Sequence, residues 1–185
     1  MTLTKTPVCN FGKKAQDFKL KSIKNKLVSL NDIKGDKATL IMFICNHCPY
    51  VKAIIKDLAK DCNDLKKDGI NSVAIMSNDT KNYPEDSFDN MIKFAETNNF
   101  DEINYLFDET QEIAKKYGAV CTPDFFGYNK DLELQYRGRF RELKDLKPIN
   151  NGESDLKVAM KMVAKTNKGP DQQIPSVGCN IKWFN

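Results

Sequence analysis

Two kinds of apolar pattern alternate along the middle of the chain. ATLIMFI at 38–44 is a continuous apolar run rich in β-formers, which predicts a strand buried on both faces. Directly behind it, Val51, Ile54, Ile55, Leu58, Cys62 and Leu65 recur at helical spacing, marking an amphipathic helix that Gly69 closes. INSVAIMS at 70–77 predicts a second buried strand. A polar loop follows from Asn78 to Pro84, and Phe88, Met91, Ile92 and Ala95 mark a second helix. INYLF at 103–107 reads as a short strand, and DETQEIAKKYGA as a short helix stopped by Gly118.

The flanking segments read differently. QDFKLKSIKNKLVSLNDI at 16–33 predicts two short alternating strands around a turn at Lys24–Lys26. DFFGYN and LELQYRGRF flank Lys130–Asp131 as a hairpin. In the second of these strands Leu132, Leu134, Tyr136 and Phe140 share one face. Glu133, Gln135, Arg137, Arg139 and Arg141 share the other, which reads as solvated. A last helix is predicted over 153–165, with Leu156, Ala159, Met160 and Val163 on its apolar side. The tail DQQIPSVGCNIKWFN follows Gly169–Pro170. No repeat, low-complexity tract or long linker divides the chain, so 1–185 is expected to be one domain, with 170–185 a C-terminal extension. The alternation implies a parallel core, to which the hairpins add antiparallel strands. That is an α/β fold with a mixed central sheet and helices on both faces.

Composition narrows the class. A chain of 185 residues, 41% hydrophobic and 29% charged, is expected to be soluble and globular and to bury a full core without disulfides. The first twenty residues contain no apolar h-region and no small-residue cleavage site, so no signal peptide is expected. With Met1 at its start, the chain is read as the whole product and its location as cytoplasmic. The net charge of +4 comes from basic residues interleaved with acids, which points to neither a nucleic acid nor a membrane partner. In a reducing compartment Cys9, Cys45, Cys48, Cys62, Cys121 and Cys179 should not form a structural disulfide framework. A close pair among them is then catalytic or metal-binding.

Cys45 and Cys48 are that pair, and they lie where the buried strand gives way to the helix. The first turn of a helix presents unpaired N–H groups and the positive end of its dipole, and both stabilise a thiolate. Pro49 is tolerated there because no helical N–H bond is lost. Two-residue spacing lets one thiol attack a mixed disulfide made by the other. His47, the only histidine, would favour ionisation further when protonated and make the disulfide a better oxidant. Three alternatives stand beside a dithiol centre. The two residues are core cysteines, or Cys45, His47, Cys48 and Cys121 hold zinc or cuprous copper, or the domain is catalytically idle. Cys62 falls on the helical stripe and reads as core, and Cys9 as a bystander.

CNHC at the end of TLIMFI, the amphipathic helix behind it and CTPDFF much later resemble the thioredoxin-like superfamily. More closely, they resemble its redoxin branch, the alkyl hydroperoxide reductase and thiol-specific antioxidant (AhpC/TSA) family. The segment 15–51 resembles that family's N-terminal hairpin and active-site strand, and 103–139 its insert, cis-proline loop and terminal hairpin. The tail PSVGCNIKW is similar to one sub-branch. The resemblance implies a thioredoxin-like fold and a thiol-disulfide oxidoreductase acting on protein or small-molecule disulfides. A thiol reductant such as thioredoxin or glutathione would supply electrons, with no cofactor. Cys45, nearer the strand end and expected to be more exposed, would attack; Cys48 would resolve; His47 would tune. Thr122–Pro123 would be a cis peptide docking substrate, with Cys121 and Cys179 as accessory thiols. The alternative activity is peroxide reduction. Two departures bear on this. The strand before Cys45 carries no buried acid, a role left to His47 or to a helix acid such as Asp57. The peroxiredoxin signature P-x-x-x-T-x-x-C is also not met by the residues IMFI before Cys45, which argues against efficient peroxidase chemistry.

Overall fold

The computed structural model describes residues 2–184. In chain order the elements are β1 (Leu3–Lys5), β2 (Lys19–Ser22), β3 (Leu27–Ser29), α1 (Leu30–Ile33), β4 (Ala38–Phe43), α2 (Pro49–Lys66) and β5 (Ile70–Met76). A 3₁₀ turn at Pro84–Asp86 precedes α3 (Phe88–Thr97), β6 (Ile103–Phe107), α4 (Glu112–Tyr117), β7 (Cys121–Thr122), β8 (Asp124–Asn129) and β9 (Leu134–Tyr136). A small hairpin, β10 (Leu143–Lys144) and β11 (Lys147–Pro148), leads to α5 (Asp155–Thr166) and β12 (Val177–Asn180). Among the described residues no helix is long and apolar enough to cross a membrane.

Seven strands form the central sheet in the order β3-β2-β6-β5-β4-β8-β9. β4 pairs parallel with β5, and β5 with β6, while β8 and β9 add antiparallel on one side and β2 and β3 on the other. The fold is thioredoxin-like, a mixed sheet between helices. The continuous apolar run of β4 is explained by its two covered faces. Leu40 and Met42 pack with α2, α3 and α5, whereas Ile41 and Phe43 pack with α1 and α4. All four are fully buried or nearly so, each contributing roughly 1.5–3 kcal/mol. Ser154, the N-cap of α5, accepts from Lys157 N and donates to buried Asp61 of α2, which seats α5 on α2.

The structure corrects the sequence reading in three places. The segment 16–33 does not end as a strand. Ser29 accepts from Asp32 N at 3.3 Å while Asp32 accepts from Ser29 N at 2.8 Å, a reciprocal cap that starts α1 at Leu30. The strand predicted over 132–140 ends at Tyr136, and its polar face is not solvated. The segment 169–174 lies over it: Gln173 Oε1 accepts from Arg137 N, and Arg139 N donates to Ile174 O. Arg137 is buried against Asp124. The third correction concerns the tail. Within 170–185, expected to be an extension, β12 is the central strand of a second sheet in the order β1-β12-β7. Cys179 stands opposite Leu3 on one side and Thr122 on the other.

Candidate functional site

The site lies where β4 ends and α2 begins. Ile44 N still donates to Ile75 O, so the chain is held in the sheet up to Cys45. It then turns, with Cys48 as the N-cap of α2 and Pro49 as its first helical residue. The Thr122–Pro123 peptide, which is cis, faces this corner. Thr122 Oγ1 lies 3.4 Å from Cys45 Sγ, and the Thr122 carbonyl lies 3.1 Å from Cys48 Sγ. Cys179 Sγ is 3.0 Å from Cys48 Sγ. Three sulfurs from two segments therefore meet beside Thr122.

All three cysteines are buried, Cys45 to 1% exposure and Cys48 to 0%. The expectation that Cys45 is the more exposed thiol is not met, because the Thr122 loop lies against both and β12 against Cys48. The thiols also differ in acidity. A hydrogen bond from Cys45 is the largest influence on Cys48. With Cys179 and the Val51 amide of the first helical turn, it outweighs desolvation and lowers the Cys48 thiol to about 5. The Thr122 carbonyl opposes this, since it accepts from a thiol and repels a thiolate, but the donors are more numerous. Donating to Cys48, burial and the charge of Asp86 push the Cys45 thiol up. Of the two, Cys48 is the thiol whose surroundings favour the thiolate, whereas the expected order put Cys45 first.

His47 is held by an acid that the sequence did not reveal. Its Nδ1 lies 2.7 Å from Asp86 Oδ2 and 3.9 Å from Cys45 Sγ. Asp86 is fully buried and accepts also from Asn46 N, His47 N and Asn78 Nδ2. Tyr83 stacks on the imidazole at 5.5 Å between ring centroids. Asp57, the helix acid suggested for the missing buried carboxylate, is instead half exposed beside Arg141.

The Asp86 hydrogen bond raises the His47 pKa above its ordinary 6.5 against the opposing effect of burial. A raised folded pKa means that the pairing stabilises the fold fully below about pH 6.5 and is lost as pH rises through the folded value. With one histidine in the chain, proton NMR gives one imidazole titration. It is expected to have its midpoint above 6.5, and Asp86→Asn is expected to lower it, because burial and Lys182 are then opposed only by the charge of Cys48. A wild-type midpoint below 6.5 would show that Asp86 does not hold the proton.

The remaining predicted residues are placed as follows. Cys121 is buried and its thiol bonds to the Pro123 carbonyl at 3.6 Å, with burial pushing its pKa up. The four-residue metal set Cys45, His47, Cys48 and Cys121 does not converge. The side chains that do, within 4.8 Å of one another, are Cys45, His47 and Asp86. In that set the His47 and Asp86 ligand atoms are already bonded to each other, and three donors fall short of the usual four for structural zinc. Cys62 is core, as its place on the α2 stripe suggested. A cavity of about 290 Å³ borders the cis-proline and the start of β12, lined by Tyr50, Ile54, Pro123, Phe140, Arg141 and Val177 among others.

A mixed sheet with a strand-to-helix thiol corner facing a cis-proline defines a thioredoxin-like redoxin. The chain belongs to the AhpC/TSA family, which matches it over residues 11–140. Among solved structures it is similar to an uncharacterized conserved protein from Geobacillus kaustophilus at 42% identity and a TM-score of 0.89, covering 100% of this chain and 97% of that one. A hypothetical protein from Sinorhizobium meliloti is 36% identical with a TM-score of 0.90, covering 98% of each chain. The thioredoxin domain of a thiol-disulfide oxidoreductase from Bacteroides vulgatus shares the fold at 20% identity and a TM-score of 0.59, over 70% of this chain and 89% of that one. No curated protein matches the chain.

Proposed function

We propose that this protein is a thiol-disulfide oxidoreductase in which Cys48 is the attacking thiolate. The observation that carries the reading is the environment of Cys48: the N-cap of an 18-residue helix, with two further thiols in its hydrogen-bonding shell. The thiolate attacks one sulfur of a disulfide and expels the other as a thiolate, leaving a mixed disulfide on Cys48. A second thiol of the site then attacks Cys48 Sγ, gives up its proton to the leaving group and closes an internal disulfide. A dithiol or thiol donor such as thioredoxin or glutathione reverses the sequence, and no bound cofactor is needed. Its substrates are protein or small-molecule disulfides. A cytoplasmic location, with its reducing poise, would keep the thiols ready.

Peroxide reduction is the other use of such a thiolate, and the contacts favour the disulfide reading. A hydroperoxide needs donors for the oxygen it expels. Around Cys48 Sγ the structure offers a carbonyl, two thiols and the Val51 and Cys179 amides, and these donors point at the sulfur itself. The test is a redox titration of the full chain against reduced and oxidised glutathione, with thiols trapped by alkylation. A reversible two-electron transition that includes Cys48 is expected. Inertness towards oxidised glutathione together with a sulfenic acid on Cys48 after hydrogen peroxide would replace this reading with the peroxidase one.

A further inference from the structure

The main-chain edge at Thr122 is where a substrate strand was expected to dock. In the structure that edge is already taken. β12 pairs antiparallel with β7, setting Cys179 opposite Thr122 and Asn180 opposite Cys121. The contact is too close for any side chain at Gly178. A Cβ there would run into the Thr122 carbonyl oxygen and lie 2.6 Å from the carbonyl carbon. Ser176 Oγ adds a hydrogen bond to the Pro123 carbonyl at 2.8 Å. The pairing delivers the Cys179 sulfur to 3.0 Å from Cys48, so a covalent bond of about 2.05 Å needs the two atoms to approach by roughly 1 Å.

We infer that β12 is an internal substrate strand: it occupies the docking edge at Thr122 and presents Cys179 to Cys48, so that oxidation closes a Cys48–Cys179 disulfide binding the C-terminal strand to the start of α2. The inference rests on the reading of Cys48 as the attacking thiolate. The Cys48 thiolate takes one half of a low-molecular-weight disulfide RSSR and releases RS⁻. Cys179 then attacks Cys48 Sγ, its proton passes to the departing RS⁻, and RSH leaves. Two electrons move from the two protein thiols to RSSR, and Cys45 stays reduced. Burial holds the Cys179 thiol high, at about 12, so it is protonated until it attacks, which suits a resolving role.

The strand is also tied to the His47 carboxylate. Beyond β12, Lys182 N donates to Asn78 Oδ1, and Asn78 Nδ2 donates to Asp86 Oδ2. Asp79 N and Gln111 Nε2 both hold the Lys182 carbonyl. β12 therefore covers Cys48 from an anchored position.

The test is disulfide mapping of the full-length protein after treatment with oxidised glutathione, acid quenching, alkylation and peptide mass spectrometry. The major linked peptides are expected to join Cys48 to Cys179. Cys45→Ser is expected to retain that linkage and still lose two alkylatable thiols. A linkage of Cys48 to Cys45 alone, with Cys179 fully alkylated, overturns the inference and leaves the oxidoreductase reading standing. No reaction of any thiol with oxidised glutathione overturns both. Gly178→Ala provides a check that alters no sulfur. With the fold verified by circular dichroism, it is expected to lower the yield of the Cys48–Cys179 linkage several-fold and to speed alkylation of Cys48. An unchanged yield and rate would show that the β12–β7 pairing does not present Cys179 to Cys48.

Discussion

Cys48→Ser is expected to reduce thiol-disulfide exchange to the uncatalysed background, and the pH dependence of Cys48 alkylation is expected to show why. An ordinary thiol with a pKa of about 8.5 is roughly 3% thiolate at pH 7, whereas one at about 5 is almost wholly ionised, a gain of about 30-fold. Nucleophilicity falls with pKa at a Brønsted slope of about 0.4–0.5, which over these units costs a similar factor. The two effects nearly cancel in the attack at neutral pH. Two advantages remain. Cys48 is an excellent leaving group, so a disulfide containing it opens readily and the protein is a good oxidant. Its reactivity also persists in acid. Iodoacetamide should modify Cys48 at a rate that is flat from pH 8 to pH 6 and falls with a midpoint near 5. Cys45→Ala, which removes the strongest donor to Cys48, should move that midpoint upward; Cys45→Ser, which keeps a hydroxyl donor, should move it less. A wild-type midpoint near 8.5 would remove the electrostatic basis of the assignment.

Arg137→Met is expected to destabilise the fold by about 3–5 kcal/mol, the range for breaking a buried ion pair by removing one partner. Asp124 is fully buried and Arg137 nearly so. The guanidinium reaches Asp124 through Nη2 at 2.9 Å and Nε at 3.3 Å, donates to Gly118 O and lies over the Phe126 ring. Its loss leaves a carboxylate in the core with only the Val120 amide for company. Urea unfolding at neutral pH would measure the cost, and a loss under 1 kcal/mol would contradict the buried pairing. The pH dependence carries a sign worth testing. Burial raises the Asp124 pKa above 3.8, with Arg137 opposing it. The native state then binds the extra proton, so this group's contribution to stability falls as pH rises from about 3.8 through the folded value. Without Arg137 the window should widen, and the variant should recover part of its loss on mild acidification. Asp124 follows Pro123 directly, so the same substitution should loosen the loop that faces Cys48.

The two results would bear on different links between sequence and function. One concerns a charge favoured at a helix start by neighbouring thiols, one of them brought from a distant strand. The other concerns a charge buried because a distant segment covers it.

The elements of the central sheet were legible because their information is local. ATLIMFI had to be a strand with two covered faces, the 51–65 stripe had to be a helix, and Gly118 ends α4 in the left-handed conformation that Gly adopts without strain. The position of Cys45 and Cys48 at a strand-to-helix corner followed from those two patterns alone. The site around them did not. Asp86 lies 39 residues from His47 and comes from a turn with no periodicity. Cys179 lies 131 residues from Cys48 in a tail whose strand is four residues long. Contacts of that separation leave no repeat for a sequence to display. Exposure was misjudged for the same reason: the alternation of 132–141 shows which side chains share a face, but not what covers it.

By itself, then, the sequence determined the order and type of the core elements and the place of the thiol pair at a helix start, since neighbours within one element or one turn decide these. Only the tertiary structure decided which cysteine's surroundings favour the thiolate, which acid holds His47 and where the C-terminal strand lies. Each of those depends on burial and on partners that meet only when segments far apart in the chain pack together.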